Sequence, residues 1–299
     1  MKKALVMLLS AATVLTTFIS ASIFKSNVAY AVEMPTASGV NTVSDGGATI
    51  DYSNTSDGYV MVKCSQSYPR VKAQVVKDKQ TYTYDIACDG NYVPLPLQMG
   101  NGSYTVRVLK NVGGNKYAML TNTSFSANLT NSLSPYLIPS QIVNYKADSA
   151  TVKKSSELAG AMQTDLQKVE AVYQYVINNI TYDDAKAQQV VSKSYTPTVD
   201  NILQTKKGIC YDYSAVLATM LRSQGIPTKL VTGYVSPSGT YHAWNEVFIN
   251  GVGWVSSAVY FDGISWKRVD STFGASAGNS DEINKFIQNN GNYQVKYQY

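Results

Sequence analysis

Three residues of this 299-residue chain have side chains that together form an activated sulfur nucleophile when they meet in space. Cys210 follows Gly208 at the predicted start of an amphipathic helix, where the partial positive charge of the helix N-terminus stabilises a thiolate. His242, the single histidine, can take the thiol proton, and Asp270 can fix the imidazole tautomer. These residue types predict cysteine-based catalysis.

The elements around these residues predict how they are positioned. Apolar residues at helical spacing follow Cys210, and Gly225 with Pro227 predicts the end of that helix. Upstream, Thr164 and Gln167 form a capping-box signature before another apolar helix. Four strand-like runs follow the Cys210 helix: Thr228–Val235, Tyr241–Ile249, Gly253–Tyr260 and Ser265–Val269. The sequence therefore predicts an α+β core in which the cysteine-bearing helix packs on an antiparallel sheet.

Short motifs surround the three residues in a characteristic order. They are Gly208-x-Cys210-x-Asp212-Tyr213, Leu221-Arg222-x-x-Gly225-Ile226-Pro227, Gly233-Tyr234, His242-Ala243-Trp244-x-Glu246-Val247 and Trp266-x-x-Val269-Asp270-Ser271-Thr272. In this order they resemble the transglutaminase-like superfamily, the papain-related group with a Cys-His-Asp triad. The resemblance covers roughly residues 135–275 and implies a papain-like core and acyl transfer through Cys210, His242 and Asp270. The chain departs from the family at Ser271, where proline is usual, and in the extra segment Val252–Phe261.

Two aromatic residues are secondary candidates. The segment Asn178–Asp183 resembles the helix end that precedes this core in the family, which makes Tyr182 a candidate oxyanion donor and, alternatively, a packed tyrosine. Trp244 is a candidate for shielding the site from water, with a packed core tryptophan as the alternative.

Two carboxylates near the triad also have more than one interpretation. Asp212 and Glu246 could form an acid pair for glycoside hydrolysis. Alternatively, Asp212 is a favourable charge in the first helical turn, and Glu246 pairs with Arg222.

The N-terminal part of the chain predicts export. Lys2 and Lys3, an apolar run and Ala29-Tyr30-Ala31 predict a signal peptide over residues 1–31, with an uncleaved anchor as the alternative. Residues 32–130 show short alternating runs and turn signals, which predict a small immunoglobulin-like β-sandwich. Residues 131–299 form the predicted catalytic domain. We therefore expect a secreted protein, with no membrane span after signal cleavage and with the cell wall as a further location.

Charge and cysteine count narrow the function classes. Without Lys2, Lys3 and Lys25 the chain has 22 basic against 20 acidic residues, a balance that does not indicate nucleic-acid binding. Cys64 and Cys88 predict a cross-strand disulfide in an exported chain, leaving Cys210 as the odd thiol. The residues offer no metal-ligand cluster and no cofactor-binding motif.

The predicted chemistry leaves the acceptor and the activity open. A thioester on Cys210 can pass to water, as in a peptidase or amidase, or to a lysine amine, as in a cross-linking transglutaminase. The expected partner is a protein or peptide substrate, and cell-wall material is a further candidate. The alternatives are a catalytically silent cell-surface binding module that retains the fold, and a wall protein that binds through its β-domain.

Overall fold

The computed structural model describes residues 32–190, 195–249, 267–277 and 281–299. The predicted signal peptide, the extra segment Val252–Phe261 and the strand Gly253–Tyr260 lie outside the described residues. No helix within the described ranges combines the length and apolarity needed to cross a bilayer.

The described N-terminal region is built from strands, as the alternating runs predict. Alternation places every second side chain on the buried face, as in Val71, Ala73 and Val75. The strands are β1 (Thr42–Asp45), β2 (Ala48–Asp51), β3 (Tyr59–Cys64), β4 (Val71–Lys77), β5 (Gln80–Ile86), β6 (Val93–Pro96), β7 (Gly102–Gly113) and β8 (Lys116–Ala127). They form two antiparallel sheets, β1-β2-β3-β6 and β5-β4-β7-β8, with their buried residues in one hydrophobic core. The all-β prediction is confirmed; the boundary at residue 130 stays a prediction.

The C-terminal region is the predicted α+β core. Its elements are α1 (Ala150–Ala159), α2 (Asp165–Asn179), β9 (Thr181–Tyr182), α3 (Asp184–Val190), α4 (Val199–Thr205), β10 (Lys207–Gly208), α5 (Cys210–Arg222), β11 (Thr228–Val235), β12 (Thr240–Val247), β13 (Lys267–Val269), α6 (Ser271–Ala277), α7 (Asp281–Gln288) and β14 (Tyr293–Gln298). The Thr164–Gln167 capping box begins α2 as predicted. β9 and β10 form a short parallel pair that the sequence did not predict.

Helix α5 lies against an antiparallel sheet of order β13-β12-β11-β14. Every residue of α5 from Asp212 to Arg222 is buried, because the sheet and the neighbouring helices surround it. Only its first two residues, Cys210 and Tyr211, are partly exposed. The fold thus buries the helix and leaves its N-terminal end accessible.

The cysteines of the β-region differ from the predicted cross-strand bridge. Cys64 ends β3 in one sheet, and Cys88 follows β5 in the other, so the pair joins two sheets and not adjacent strands. The structure holds both as free thiols with the sulfur atoms 3.2 Å apart, whereas a disulfide needs about 2.05 Å. A bridge between Cys64 and Cys88 stays a prediction.

The predicted pairing of Glu246 with Arg222 is wrong. Glu246 instead contacts Lys229, its cross-strand neighbour, at 3.3 Å. The fully buried Arg222 guanidinium donates to three backbone carbonyls, those of Thr228, Ile138 and Tyr299. Arg222 therefore connects α5 to the start of β11, to the segment between β8 and α1, and to the residue that follows β14.

Replacing Arg222 by methionine is expected to lower the free energy of unfolding by about 3 kcal/mol, because buried carbonyls lose their donors. Arg70→Met is the matched control, since the Arg70–Asp85 pair is about half exposed and is worth about 1 kcal/mol or less. Urea unfolding of both variants measures the difference. Equal losses would contradict the assigned role of Arg222.

Candidate active site

The turn before α5 places Cys210 at the first helical position. The Asp212 carboxylate turns back and accepts the backbone N–H of Ile209 at 2.9 Å, which closes the helix start. Gly208 is required there because a Cβ would lie 2.6 Å from the Asp212 Cβ. The glycine turn predicted from the sequence thus has a steric cause, and it presents the thiol at the positive end of the helix.

His242 and Asp270 come together through the pairing of the sheet. His242 lies on β12 opposite Gly233 of β11, and Asp270 directly follows β13, the strand on the other side of β12. The imidazole Nε2 and the Asp270 Oδ2 are 2.8 Å apart, and both side chains are buried. Because Nε2 is engaged by Asp270, the other ring nitrogen, Nδ1, is left for the Cys210 thiol.

Asp270 is held by two further donors. The Tyr293 hydroxyl donates to Oδ2 at 3.0 Å, and the Phe273 backbone N–H donates to Oδ1 at 3.2 Å. The second bond caps the start of α6. The sequence did not predict Tyr293 as a site residue, since its strand had only the signature of a polar, tyrosine-rich edge. These bonds fix the orientation of the carboxylate toward His242.

Neighbouring groups shift the pKa of the His242 imidazole. Burial by itself lowers the pKa of His242, but the Asp270 charge, their hydrogen bond and the hydrogen bond with Cys210 outweigh it and raise the pKa to about 10. His242 is therefore protonated near neutral pH when paired with Asp270. An imidazolium beside a cysteine favours the thiolate, the nucleophilic form.

The raised pKa of His242 predicts a pH-dependent stability. A histidine that binds its proton more tightly in the folded state stabilises the fold fully below its unfolded pKa of about 6.5. That contribution is lost as the pH rises toward the folded value of about 10. We expect the stability difference between wild type and His242→Gln to shrink from pH 6.5 to pH 10, measured by urea unfolding. A difference independent of pH would contradict the pairing.

Aromatic side chains enclose the imidazole. The Trp244 ring stacks toward His242 with centroids 6.3 Å apart, and Phe273 lies 5.1 Å away on α6. Trp244 is fully buried and also contacts Tyr293 edge-on at 4.9 Å. Both interpretations of Trp244 fit this geometry, because a packed core residue here also excludes water from the His242 ring.

The thiol and the imidazole open into one cleft of about 530 Å³. Tyr182 lines it from β9, so the structure brings this oxyanion candidate to the same cavity as Cys210. Burial, and then the charge of Cys210, raises the pKa of Tyr182, which keeps its hydroxyl protonated and able to donate. Its role as a donor stays a prediction.

The carboxylates Asp212 and Glu246 do not form an acid pair. Asp212 contacts Lys186 and Tyr195 at the helix start, and Glu246 contacts Lys229 on the sheet. Each carboxylate is neutralised by its own lysine, so neither geometry supports glycoside hydrolysis. Within the described residues, the structure also shows no group of three metal-ligating side chains.

Part of the chain is similar to a known protein family. Residues 153–259, which include Cys210 and His242, match the transglutaminase-like superfamily. Human kyphoscoliosis peptidase is 32% identical over 130 residues, which are 40% of this chain and 17% of that protein. A protein-glutamine gamma-glutamyltransferase of Pseudomonas aeruginosa is 35% identical over 69 residues, 19% of this chain and 10% of the enzyme. The chain thus spans a fifth or less of the length of these relatives.

Two solved structures, of a transglutaminase and of a protein described as a TGase, align with parts of this chain. Red sea bream transglutaminase aligns with a TM-score of 0.35 and 15% identity, covering 77% of this chain and 53% of that one. The structure described as a TGase aligns with a TM-score of 0.34 and 24% identity, covering 58% of this chain and 45% of that one. The family match and the α5-on-sheet arrangement agree with the resemblance carried by the motifs. Residues 153–259 of this chain therefore match the transglutaminase-like superfamily, in agreement with the motifs around Cys210 and His242.

Proposed function

We propose that the protein is an exported cysteine acyltransferase that acts on amide bonds of peptides or proteins. The observation that carries this proposal is the buried His242–Asp270 pair, 2.8 Å apart, beside the thiol at the start of α5. Cys210 is the proposed nucleophile, His242 the general base and acid, and Asp270 the residue that orients His242. Export is proposed from the predicted signal peptide alone.

The first half of the reaction forms a thioester. The thiolate of Cys210 attacks the amide carbonyl carbon, and the carbonyl π electrons move to oxygen. The N–H groups at the first positions of a helix have no acceptor within it, and those of Cys210 and Tyr211 can stabilise the oxyanion; the next two, of Asp212 and Tyr213, donate to the Ile209 carbonyl. The protonated His242 gives its proton to the leaving nitrogen, the C–N bond breaks and an amine or ammonia departs.

The second half transfers the acyl group to an acceptor. Water or a primary amine loses a proton to His242 and attacks the thioester carbonyl, and the C–S bond breaks. Water yields a carboxylic acid, and a lysine amine yields a new amide. Both routes regenerate the thiolate–imidazolium pair. The acceptor therefore decides between peptidase and cross-linking activity.

The test supplies both acceptors to the same protein. The purified protein is incubated with a glutamine-rich protein substrate, with and without a fluorescent primary alkylamine, and the products are identified by mass spectrometry. We expect peptide cleavage, glutamine deamidation or amine incorporation, each blocked when Cys210 is first alkylated. If none of these products forms, the acyltransferase proposal is wrong and the silent binding module is favoured.

A further inference from the structure

One wall of the cleft is attached in an unusual way. Helix α3 contributes no buried residue of its own, so packing into the hydrophobic core does not explain its position. Ala187 and Val190 on this helix, and Tyr195 beyond it, nevertheless line the cleft that contains Cys210. These three residues are called the α3 wall.

The α3 wall is attached to α5 through Asp212. The Lys186 ammonium contacts the Asp212 Oδ2 at 2.6 Å, and the Tyr195 hydroxyl donates to Oδ1 at 2.5 Å. Lys186 also lies 4.4 Å above the Tyr195 ring. The Asp212 side chain is fully buried, so it is poorly screened by water and its charge-assisted bonds are strong. A single carboxylate two residues from the nucleophile therefore fixes both ends of the wall.

The side of the wall that faces the cleft has no charge. Lys186 and Asp212 neutralise each other and do not line the cavity. Tyr211, Tyr241 and Tyr299 also line the cleft, and their rings are flat and apolar with hydroxyl groups at the edge. Apart from the Cys210–His242 pair, no acidic or basic side chain among the described residues lines this cleft. Such a surface favours an apolar side chain and disfavours a charged one, which would lose its hydration.

We propose that the α3 wall is a specificity subsite for an apolar or aromatic side chain of the acyl-donor peptide, and that Asp212 is the positioning residue that holds it. This inference rests on the proposed function for the identity of the ligand as an acyl donor. Asp212 itself does not touch the reacting atoms: it acts through Lys186 and Tyr195.

The test measures binding without turnover, in protein carrying Cys210→Ala. The probes are two acetylated, amidated hexapeptides that differ only before the target glutamine, with Phe in one and Asp in the other. Calorimetry is expected to show at least about tenfold tighter binding of the Phe peptide. Adding Lys186→Met and Tyr195→Phe together is expected to reduce this preference to less than about twofold, because the wall loses both attachments.

Three matched variants make the test specific. Lys154→Met removes another lysine from an ion pair, on α1, and is expected to keep the full preference. Lys186→Arg keeps the positive charge and, with Tyr195 unchanged, is expected to retain most of the preference for the Phe peptide. Val190→Lys leaves Asp212 and its partners unchanged and is expected to favour the Asp peptide, which tests the wall even if the double variant fails to fold.

The outcomes separate the two proposals. Equal binding of both peptides, binding of neither, or a preference that survives in the double variant and in Val190→Lys would overturn the α3 wall subsite. If the wild type turns over neither peptide while the Cys210→Ala protein keeps the expected preference, the acyltransferase proposal is wrong and the subsite stands.

Discussion

Replacing Cys210 by alanine is expected to lower the rate of amide turnover at least about 10⁴-fold, because the chemistry then has no nucleophile. The other two cysteines lie in the β-region, and neither lines the cleft of Cys210. The substitution removes one sulfur atom from a partly exposed position at a helix start. Alanine is a good helix former, so the free energy of unfolding should change by less than about 1 kcal/mol.

The matched control for this variant is Cys88→Ala, which removes a partly exposed thiol far from α5 along the chain. All rates are measured with a reductant that keeps Cys64 and Cys88 as thiols. It is expected to keep wild-type turnover. Product formation by the Cys210→Ala protein at more than a trace of the wild-type rate would show that the sulfur of Cys210 is not the nucleophile. Steady-state rates with the same amide substrate give the comparison.

Replacing Asp270 by asparagine is expected to lower kcat/KM by about 10²–10³-fold while the fold is retained. The asparagine amide can donate to His242 Nε2, which leaves the proton on Nδ1, the nitrogen that must accept the thiol proton. The loss of the carboxylate charge also removes the main cause of the raised His242 pKa. Both effects reduce the thiolate–imidazolium pair.

Asp78→Asn is the isosteric control, because Asp78 is exposed and its positive φ of 53° suits asparagine. Its kcat/KM should equal that of the wild type. An Asp270→Asn enzyme with wild-type kcat/KM across pH 6 to 8 would exclude Asp270 from the orientation of His242.

Local sequence signals predicted the elements that carry the site. Apolar spacing predicted α5 with Cys210 at its start, the capping box predicted the start of α2, and strand-like runs predicted β11 and β12. These features depend on neighbours within a few residues, which a sequence pattern records directly. The α+β class follows from the same elements, and the family resemblance gave the order of the triad.

The residues that sequence reasoning missed are those that meet over long distances in the chain. Tyr293 reaches Asp270 because β14 pairs with β11, a register that no local motif encodes. Lys186 and Tyr195 contact Asp212 from a different segment of the chain, so the sequence around Asp212 did not predict these two contacts. Glu246 pairs with Lys229 because the strand register places the two opposite each other. Pairing of this kind is decided by tertiary packing.

The most direct test of the thiolate–imidazolium pair is the pH dependence of Cys210 alkylation by iodoacetamide, compared in the wild type and His242→Ala. Peptide mapping separates Cys210 from Cys64, which serves as an internal unreactive site. As a thiol, Cys64 has a pKa that burial raises to about 11, and in the predicted bridge with Cys88 it has no thiol to alkylate. We expect rapid alkylation of wild-type Cys210 at pH values well below the free-cysteine pKa of about 8.5, and slow alkylation of Cys210 there in His242→Ala. The same slow profile of an ordinary thiol in both proteins would contradict the thiolate–imidazolium pair.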